Sequence, residues 1–184
     1  MDQNFTVGGY NQFADINGDG TTDVIFNADT ITLQASGANG AEIVAGGPRS
    51  SALEHEFPIG PELIGERQWF DRVGINACTG YEPCFGPWVG EDGSGFNAFL
   101  GVRFRADDAA TDWNYGWINL DTTFFPFPDF GQVRGWAYET EPGVGIRAGV
   151  VPEPSVALLT FSAMFVGLLV RRRRQFCKIS FSDP

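Results

Sequence analysis

The feature that most restricts the fold is an apolar stretch near the C-terminus that ends in a block of arginines. Residues 156–170 contain no charged side chain, and four basic residues follow them without a gap: Arg171, Arg172, Arg173 and Arg174. As an α-helix this stretch is roughly 22 Å long. With Pro154, Ser155 and the arginine stems it reaches the lower length limit of a membrane span. A buried core helix is the alternative at this length, but it would bring four guanidinium groups to the edge of the core. We therefore predict one C-terminal transmembrane helix over residues 156–170.

Charge is distributed unequally between the body of the chain and its end. Seven arginines and 21 acidic residues precede Val151, a net charge of −14, whereas residues 151–184 hold five basic and two acidic residues, a net charge of +3. Basic residues beside a membrane span stay in the cytoplasm, so we expect residues 171–184 to form a basic cytoplasmic tail. The acidic body then lies on the opposite side of the membrane. Its charge repels phosphate backbones, which excludes nucleic acid as a partner.

The body has the sequence pattern of a β-protein. Short apolar runs alternate with turn residues, in a chain that contains 24 glycines and 11 prolines, and this favours strands over helices. Residues 115–121 alternate with a period of two, as in a half-buried strand. Pro126 and Pro128 keep residues 124–130 out of a central strand, because proline lacks a donor for the sheet. We predict an all-β fold, a β-sandwich or jelly-roll-like domain, over residues 1–148.

The sequence contains no recognisable catalytic constellation. His55 is the only histidine, and it lies between Glu54 and Glu56 without an identifiable nucleophile or second imidazole. Glycine-rich phosphate loops and the HExxH and GxSxG motifs are absent from the sequence. We therefore expect that the protein is not an enzyme.

A short proline-rich linker, residues 149–155, separates the body from the apolar stretch. Pro152 and Pro154 end the preceding strand and favour extended backbone. The order of the Val-Pro-Glu-Pro-Ser sequence, the apolar stretch and the arginines resembles the PEP-CTERM sorting signal of Gram-negative bacteria, with its signature triplet at Pro152, Glu153 and Pro154. Three body segments, AFLGVRF, YGWINL and WAYETEPGVGIRAG, also resemble the last strands that precede this signal in many such proteins.

The resemblance implies sorting to the cell surface. Members of the family are substrates of exosortase, a membrane protease-transpeptidase that processes them near the Pro-Glu-Pro motif, and they are associated with exopolysaccharide and biofilm formation. We accordingly expect an exported protein that is held in the inner membrane with its body in the periplasm, and that then reaches the cell surface or the extracellular matrix. Residues 1–13 contain neither a basic nor an apolar leader region, so we expect an export signal to be encoded upstream of Met1. Insertion of the chain through its C-terminal tail alone is the alternative.

An acidic segment near the N-terminus matches the first nine positions of a calcium-binding loop. Calcium binds oxygen ligands, and Gly20 stands where such loops turn sharply. Phe26 occupies the position of the bidentate glutamate, so an EF-hand is excluded. Calcium is the cofactor that this motif suggests, and an Asx-type turn between two strands without metal is the alternative. The expected ligands are Asp15, Asn17, Asp19, Thr21 and Asp23.

Cys78 and Cys84 enclose a short loop that is rich in turn residues. A disulfide between them would suit a protein of an oxidising compartment, and two unpaired thiols are the alternative. A zinc site is disfavoured because no second Cys or His pair stands at ligand spacing.

The tryptophans leave a second function open. Exposed indole rings would stack on sugars in a carbohydrate-binding module on a membrane anchor, whereas packing in the core is the interpretation that we favour. The residues concerned are Trp69, Trp88, Trp113, Trp117 and Trp136.

Overall fold

The computed structural model describes residues 5–8, 11–28, 32–47, 49–77, 86–92, 94–106, 110–122 and 129–152. Every helix or strand assigned within these ranges is a β-strand, so the prediction of an all-β fold is confirmed for the described part of the chain. The strands are β1 (Phe5–Gly8), β2 (Gln12–Ala14), β3 (Val24–Ala28), β4 (Thr32–Gly37), β5 (Glu42–Ala45), β6 (Pro58–Ile59), β7 (Gln68–Phe70), β8 (Arg72–Ala77), β9 (Asn97–Phe104), β10 (Asn114–Asp121), β11 (Asp129–Tyr138) and β12 (Ile146–Arg147).

The described strands form three antiparallel sheets. The largest sheet has the order β1-β11-β10-β9-β5-β7, the second has the order β2-β3-β4-β8, and β12 pairs with β6 alone. Strands that follow one another in sequence lie side by side in β2-β3-β4 and in β9-β10-β11, as short connections favour in antiparallel sheets. The other neighbours come from distant parts of the chain.

Apolar side chains from the two larger sheets meet in one hydrophobic core. The six-stranded sheet contributes Leu100, Phe104 and Ile118 among others, and the four-stranded sheet contributes Phe26 and Leu33, all of them at most 1% exposed. Burying one such side chain is worth roughly 1.5–3 kcal/mol relative to its exposure. The contacts between these two sheets therefore supply much of the stability of the body.

The opposite face of the six-stranded sheet is also covered, which the sequence does not reveal. Leu53, Ile59 and Ile146 form a second buried cluster with Tyr115 and Trp117 of β10. Tyr115 is only 3% exposed and Trp117 only 7%. The prediction of a half-buried strand is thus wrong for the first half of β10. The segment around β6 and the C-terminal β12 cover the face that the alternation assigned to solvent.

The last described backbone hydrogen bonds of the chain lie just before the proline motif. The Val150 N–H donates to the Arg147 carbonyl at 3.0 Å, and the Val150 carbonyl accepts a hydrogen bond from Trp117 Nε1 at 2.8 Å. The chain divides into two units here, Met1–Pro152 and Glu153–Pro184. The first four residues of the predicted linker, 149–152, therefore belong to the first unit.

Several sequence predictions fall outside the described ranges. Within those ranges, no helix has the length and apolar character needed to cross a bilayer. The residues that lie outside are the disulfide candidates Cys78 and Cys84, the motif residues Glu153 and Pro154, the apolar stretch 156–170, and Arg171, Arg172, Arg173 and Arg174.

Candidate functional site

The loop that connects β2 to β3 contains all five residues of the predicted calcium site. Gly18 and Gly20 adopt left-handed backbone angles in this loop, with φ values of 78° and 89°. Residues with a Cβ atom rarely adopt such angles, so the Asn-Gly-Asp-Gly sequence itself favours the reversal. The loop returns Asp23 to a position beside Ala14, whose carbonyl accepts the Asp23 N–H at 2.9 Å.

Asp15 organises the first half of the loop. Its Oδ1 accepts the Gly18 N–H at 2.7 Å, and its Oδ2 accepts the Gly20 N–H at 2.8 Å. These bonds satisfy two amides of the tight turn. They also hold the Asp15 carboxylate in one orientation.

Asn17 and Asp19 organise the second half of the loop. Asn17 Oδ1 accepts the Asp19 N–H at 3.0 Å, and Asn17 Nδ2 donates to Asp19 Oδ2 at 2.9 Å. Asp19 Oδ1 accepts the Thr21 N–H at 2.6 Å. The hydrogen bonds from Asn17 and then from Thr21 lower the pKa of Asp19, because they stabilise the ionised carboxylate.

Asp23 is the last residue of the loop and is only 4% exposed. Its Oδ2 accepts the Ile16 N–H at 2.7 Å. Burial raises the pKa of Asp23 to about 6, and the nearby charges of Asp19 and Asp15 add to this effect, while the bond from Ile16 opposes it. The loop therefore contains one carboxylate with a raised pKa, Asp23, and one with a lowered pKa, Asp19.

Calcium requires several oxygen atoms that converge on one point. The structure brings Asp15, Asn17, Asp19, Thr21 and Asp23 into a single loop, in which oxygens of the four acidic and amide side chains accept hydrogen bonds from N–H groups of the loop itself. In the described part of the chain, no three acidic, histidine or cysteine side chains are grouped in a way that could hold a metal ion. The hydrogen bonds are those of Asx-type turns, and calcium binding stays a prediction.

A cleft of about 310 Å³ lies between this loop and the second half of β11. Trp136 Nε1 donates to the Ile16 carbonyl at 3.2 Å across the cleft. The bond joins residues 120 positions apart in the sequence and fixes the two walls relative to one another. The lining residues are Asp15, Ile16, Asn17, Gly18, Trp136, Ala137 and Tyr138.

Two of the tryptophans belong to the interior. Trp88 is completely buried and donates from Nε1 to Ser50 Oγ at 2.9 Å. Trp117 is 7% exposed and meets the Phe99 ring edge to face at a centroid distance of 5.3 Å. Packing in the core, the favoured interpretation from the sequence, is correct for these two residues.

Trp69 and Trp113 stack on arginine at the outer face of the six-stranded sheet. The Arg103 guanidinium carbon lies 4.8 Å from the Trp69 ring and 4.2 Å from the Trp113 ring. Arg105 lies 4.7 Å from the Trp113 ring. Arg103 also forms an ion pair with Glu42. Both tryptophan rings therefore pack against arginine through cation–π interactions.

Trp136 lines the cleft beside polar side chains, together with Tyr138, whereas the four other tryptophans do not. The sequence pattern identifies Trp136 as an aromatic residue of interest but does not connect it with Asp15 and Asn17. No local signal could have done so, because the two walls of the cleft come from opposite ends of the body.

Comparisons of this chain with protein-family models, with curated proteins and with solved structures find no match.

Proposed function

We propose that the chain is an exported, non-enzymatic protein whose acidic β-body is delivered to the bacterial surface or matrix after processing at Pro152, Glu153 and Pro154. The observation that carries this proposal is the exposure of the residue that directly precedes the motif. The last described backbone hydrogen bond of the body leaves from Val150, and Val151 is 65% exposed. The backbone that leads into the motif is therefore exposed at Val151, and an exposed segment favours access of a protease.

The remaining parts of the proposal rest on the sequence. The apolar residues 156–170 hold the protein in the inner membrane, and Arg171, Arg172, Arg173 and Arg174 keep the end of the chain in the cytoplasm. The body then lies in the periplasm, where an exosortase-type protease processes it. At the cell surface or in the matrix the protein meets exopolysaccharide, which is its partner in this proposal.

The architecture of the body supports a binding or structural role. We interpret the six-stranded and four-stranded sheets, which share one core, as a β-sandwich, and a jelly-roll-like arrangement is the finer form of this proposal. Such a body holds its loops on a rigid scaffold. Its net charge of −14 favours solubility outside the cell.

The proposal is tested by fractionation of cells with and without the sorting protease. An antiserum against the body detects the protein, so no tag disturbs either end of the chain. We expect a shortened form in the surface and medium fractions of the parent strain. In the strain without the protease, we expect the full-length form in the inner membrane.

A matched pair of variants tests whether processing requires this motif or is lost whenever a Glu-Pro sequence is replaced. Replacement of Pro152, Glu153 and Pro154 by alanine is expected to block processing. Replacement of Glu141 and Pro142, an exposed Glu-Pro sequence earlier in the chain, is expected to leave processing unchanged. Full-length protein that is soluble in the cytosol would contradict the proposal.

A further inference from the structure

The cleft between the β2–β3 loop and β11 combines two kinds of surface. One wall presents the half-buried aromatic side chains of Trp136 and Tyr138, and the other presents the polar side chains of Asp15 and Asn17. Its volume of about 310 Å³ lies at the small end of the range for ligand sites. A ligand that fits this cleft consists of one or two rings. It carries both apolar surface and hydroxyl groups.

Both walls of the cleft are held in place before any ligand arrives. The bond from Trp136 Nε1 to the Ile16 carbonyl fixes the indole. The Tyr138 ring packs edge to face on Phe104 of the core, with a centroid distance of 5.4 Å. Asp15 is fixed by its two backbone hydrogen bonds. A site that is already ordered loses little entropy when it binds a ligand.

The polar wall retains hydrogen-bonding capacity. Each oxygen of the Asp15 carboxylate accepts one N–H, and an ionised carboxylate has about four acceptor positions in all. One N–H of the Asn17 amide donates to Asp19, and the amide group has a second N–H. The wall thus offers an acceptor on Asp15 beside a donor on Asn17. This pair suits a ligand with adjacent hydroxyl groups, because a hydroxyl group both donates and accepts.

The charge of the cleft restricts the ligand further. Asp15 lines the cleft, and Asp19 and Asp23 belong to the same loop. Carboxylate or sulfate groups on a ligand would be repelled by this loop and by the acidic body. Uncharged ligands escape this repulsion.

We propose that this cleft binds an uncharged sugar residue of a glycan. The indole and phenol rings contact the apolar face of the sugar ring, and Asp15 and Asn17 bind its hydroxyl groups. The site does not depend on the sorting proposal, because purified protein binds or fails to bind wherever the cell places it.

The test uses the purified full-length chain in a neutral detergent. The probes are uncharged oligosaccharides of glucose, galactose, mannose and xylose on an array, with alginate oligomers as the anionic comparison. We expect at least one uncharged oligosaccharide to bind, and alginate to bind at least tenfold more weakly. The affinity for the best probe is then measured by titration of tryptophan fluorescence.

Three variants assign the binding to the cleft. Trp136→Phe keeps an aromatic ring where Trp136 packs against the core, and we expect it to weaken oligosaccharide binding at least fivefold. Asn17→Ser changes a side chain of the β2–β3 loop, outside the core, and we expect it to weaken oligosaccharide binding at least threefold. Trp113→Phe, at the other face of the sheet, serves as the control and is expected to change the affinity by less than twofold.

The outcomes decide the proposal in either direction. Failure of every uncharged oligosaccharide to bind would overturn it, and so would equal binding of alginate. Wild-type affinity in both Trp136→Phe and Asn17→Ser would also overturn it. Thermal unfolding of each variant shows whether the fold is retained, and Asn17→Ser decides the matter if Trp136→Phe unfolds.

Discussion

Asp23 illustrates how one residue links the fold of a loop to its chemistry. The strand β3 begins directly after it, so its side chain enters the edge of the core and is 4% exposed. Burial removes water from the carboxylate and disfavours its charge, which raises the pKa to about 6. The neighbouring Asp15 and Asp19 increase this effect but remain in contact with solvent or with the loop amides.

The raised pKa predicts a pH dependence of stability. The folded protein binds the proton of Asp23 up to a pH of about 6, whereas an unfolded chain releases it near 3.8. This stabilisation is fully present below pH 3.8 and is lost as the pH rises through about 6. We expect the contribution of Asp23 to the free energy of unfolding to fall by on the order of 1–2 kcal/mol across this window. Urea unfolding at several pH values in the presence of EDTA measures it.

The variant Asp23→Asn provides the control for this prediction. Its side-chain oxygen can still accept the Ile16 N–H, but it carries no ionisable proton. The part of the pH dependence of the free energy of unfolding that Asp23 causes should therefore be absent from the variant. An unchanged pH profile would show that another group is responsible.

The calcium prediction belongs to the same loop. Calcium would stabilise the ionised carboxylates, so binding should produce saturable heat in calorimetry at neutral pH and should raise the melting temperature. Asp19→Ala should remove both effects, because Asp19 is an expected ligand. Equal heats for the wild type and Asp19→Ala would assign the loop to Asx-type turns without metal.

At the scale of the elements, β9 lies between two packed layers. Phe104 and Leu100 face the core shared with the four-stranded sheet, whereas Gly101 faces the second cluster. A Cβ atom at Gly101 would lie 2.8 Å from Val44 Cγ2 and 3.0 Å from Leu53 Cδ1. The absence of a side chain at this position is therefore a packing requirement.

This geometry predicts different outcomes for two glycine substitutions within the same sheet. Gly101→Ala should destabilise the protein by about 1–3 kcal/mol, because it overpacks the second cluster. Gly135→Ala in β11 should be close to neutral, since a Cβ atom there meets nothing within 4 Å and alanine reduces the entropy of the unfolded chain. Urea unfolding measures both, and equal effects would contradict the assigned packing.

At the scale of the whole molecule, the charge of the body opposes its compact state. The net charge before Val151 is −14, and some of the carboxylates of the body are paired with arginine. Arg103 pairs with Glu42, and Arg134 pairs with Asp121 at 2.7 Å. Pairs at the surface contribute little individually, so repulsion among the remaining carboxylates persists over the body.

The repulsion predicts that salt stabilises the protein. Raising NaCl from about 0.01 M to about 0.15 M shortens the screening length from about 30 Å to about 8 Å. We expect the melting temperature of the full chain in neutral detergent to rise by on the order of 2–4 °C. The effect should diminish near pH 4, where about half of the carboxylates are neutral. A melting temperature that falls with salt at neutral pH would contradict the prediction.

The sequence by itself determined the local features of this protein. Spacing between turn residues and apolar runs indicated an all-β body, because strands and tight turns have strong residue preferences. The calcium-loop pattern was sufficient to predict a sharp turn at Gly20, since only a few residues tolerate left-handed backbone angles.

Only the tertiary structure decided which surfaces are covered and which residues share a site. The alternation in β10 could not indicate that Ile59 and Ile146 bury Trp117, because β6 and β12 lie far from β10 in the sequence. The cleft of Asp15 and Trp136 arises in the same way, where a loop near one end of the body meets a strand near the other. Local preferences act over a few residues, whereas burial is settled by contacts between segments that only the complete fold brings together.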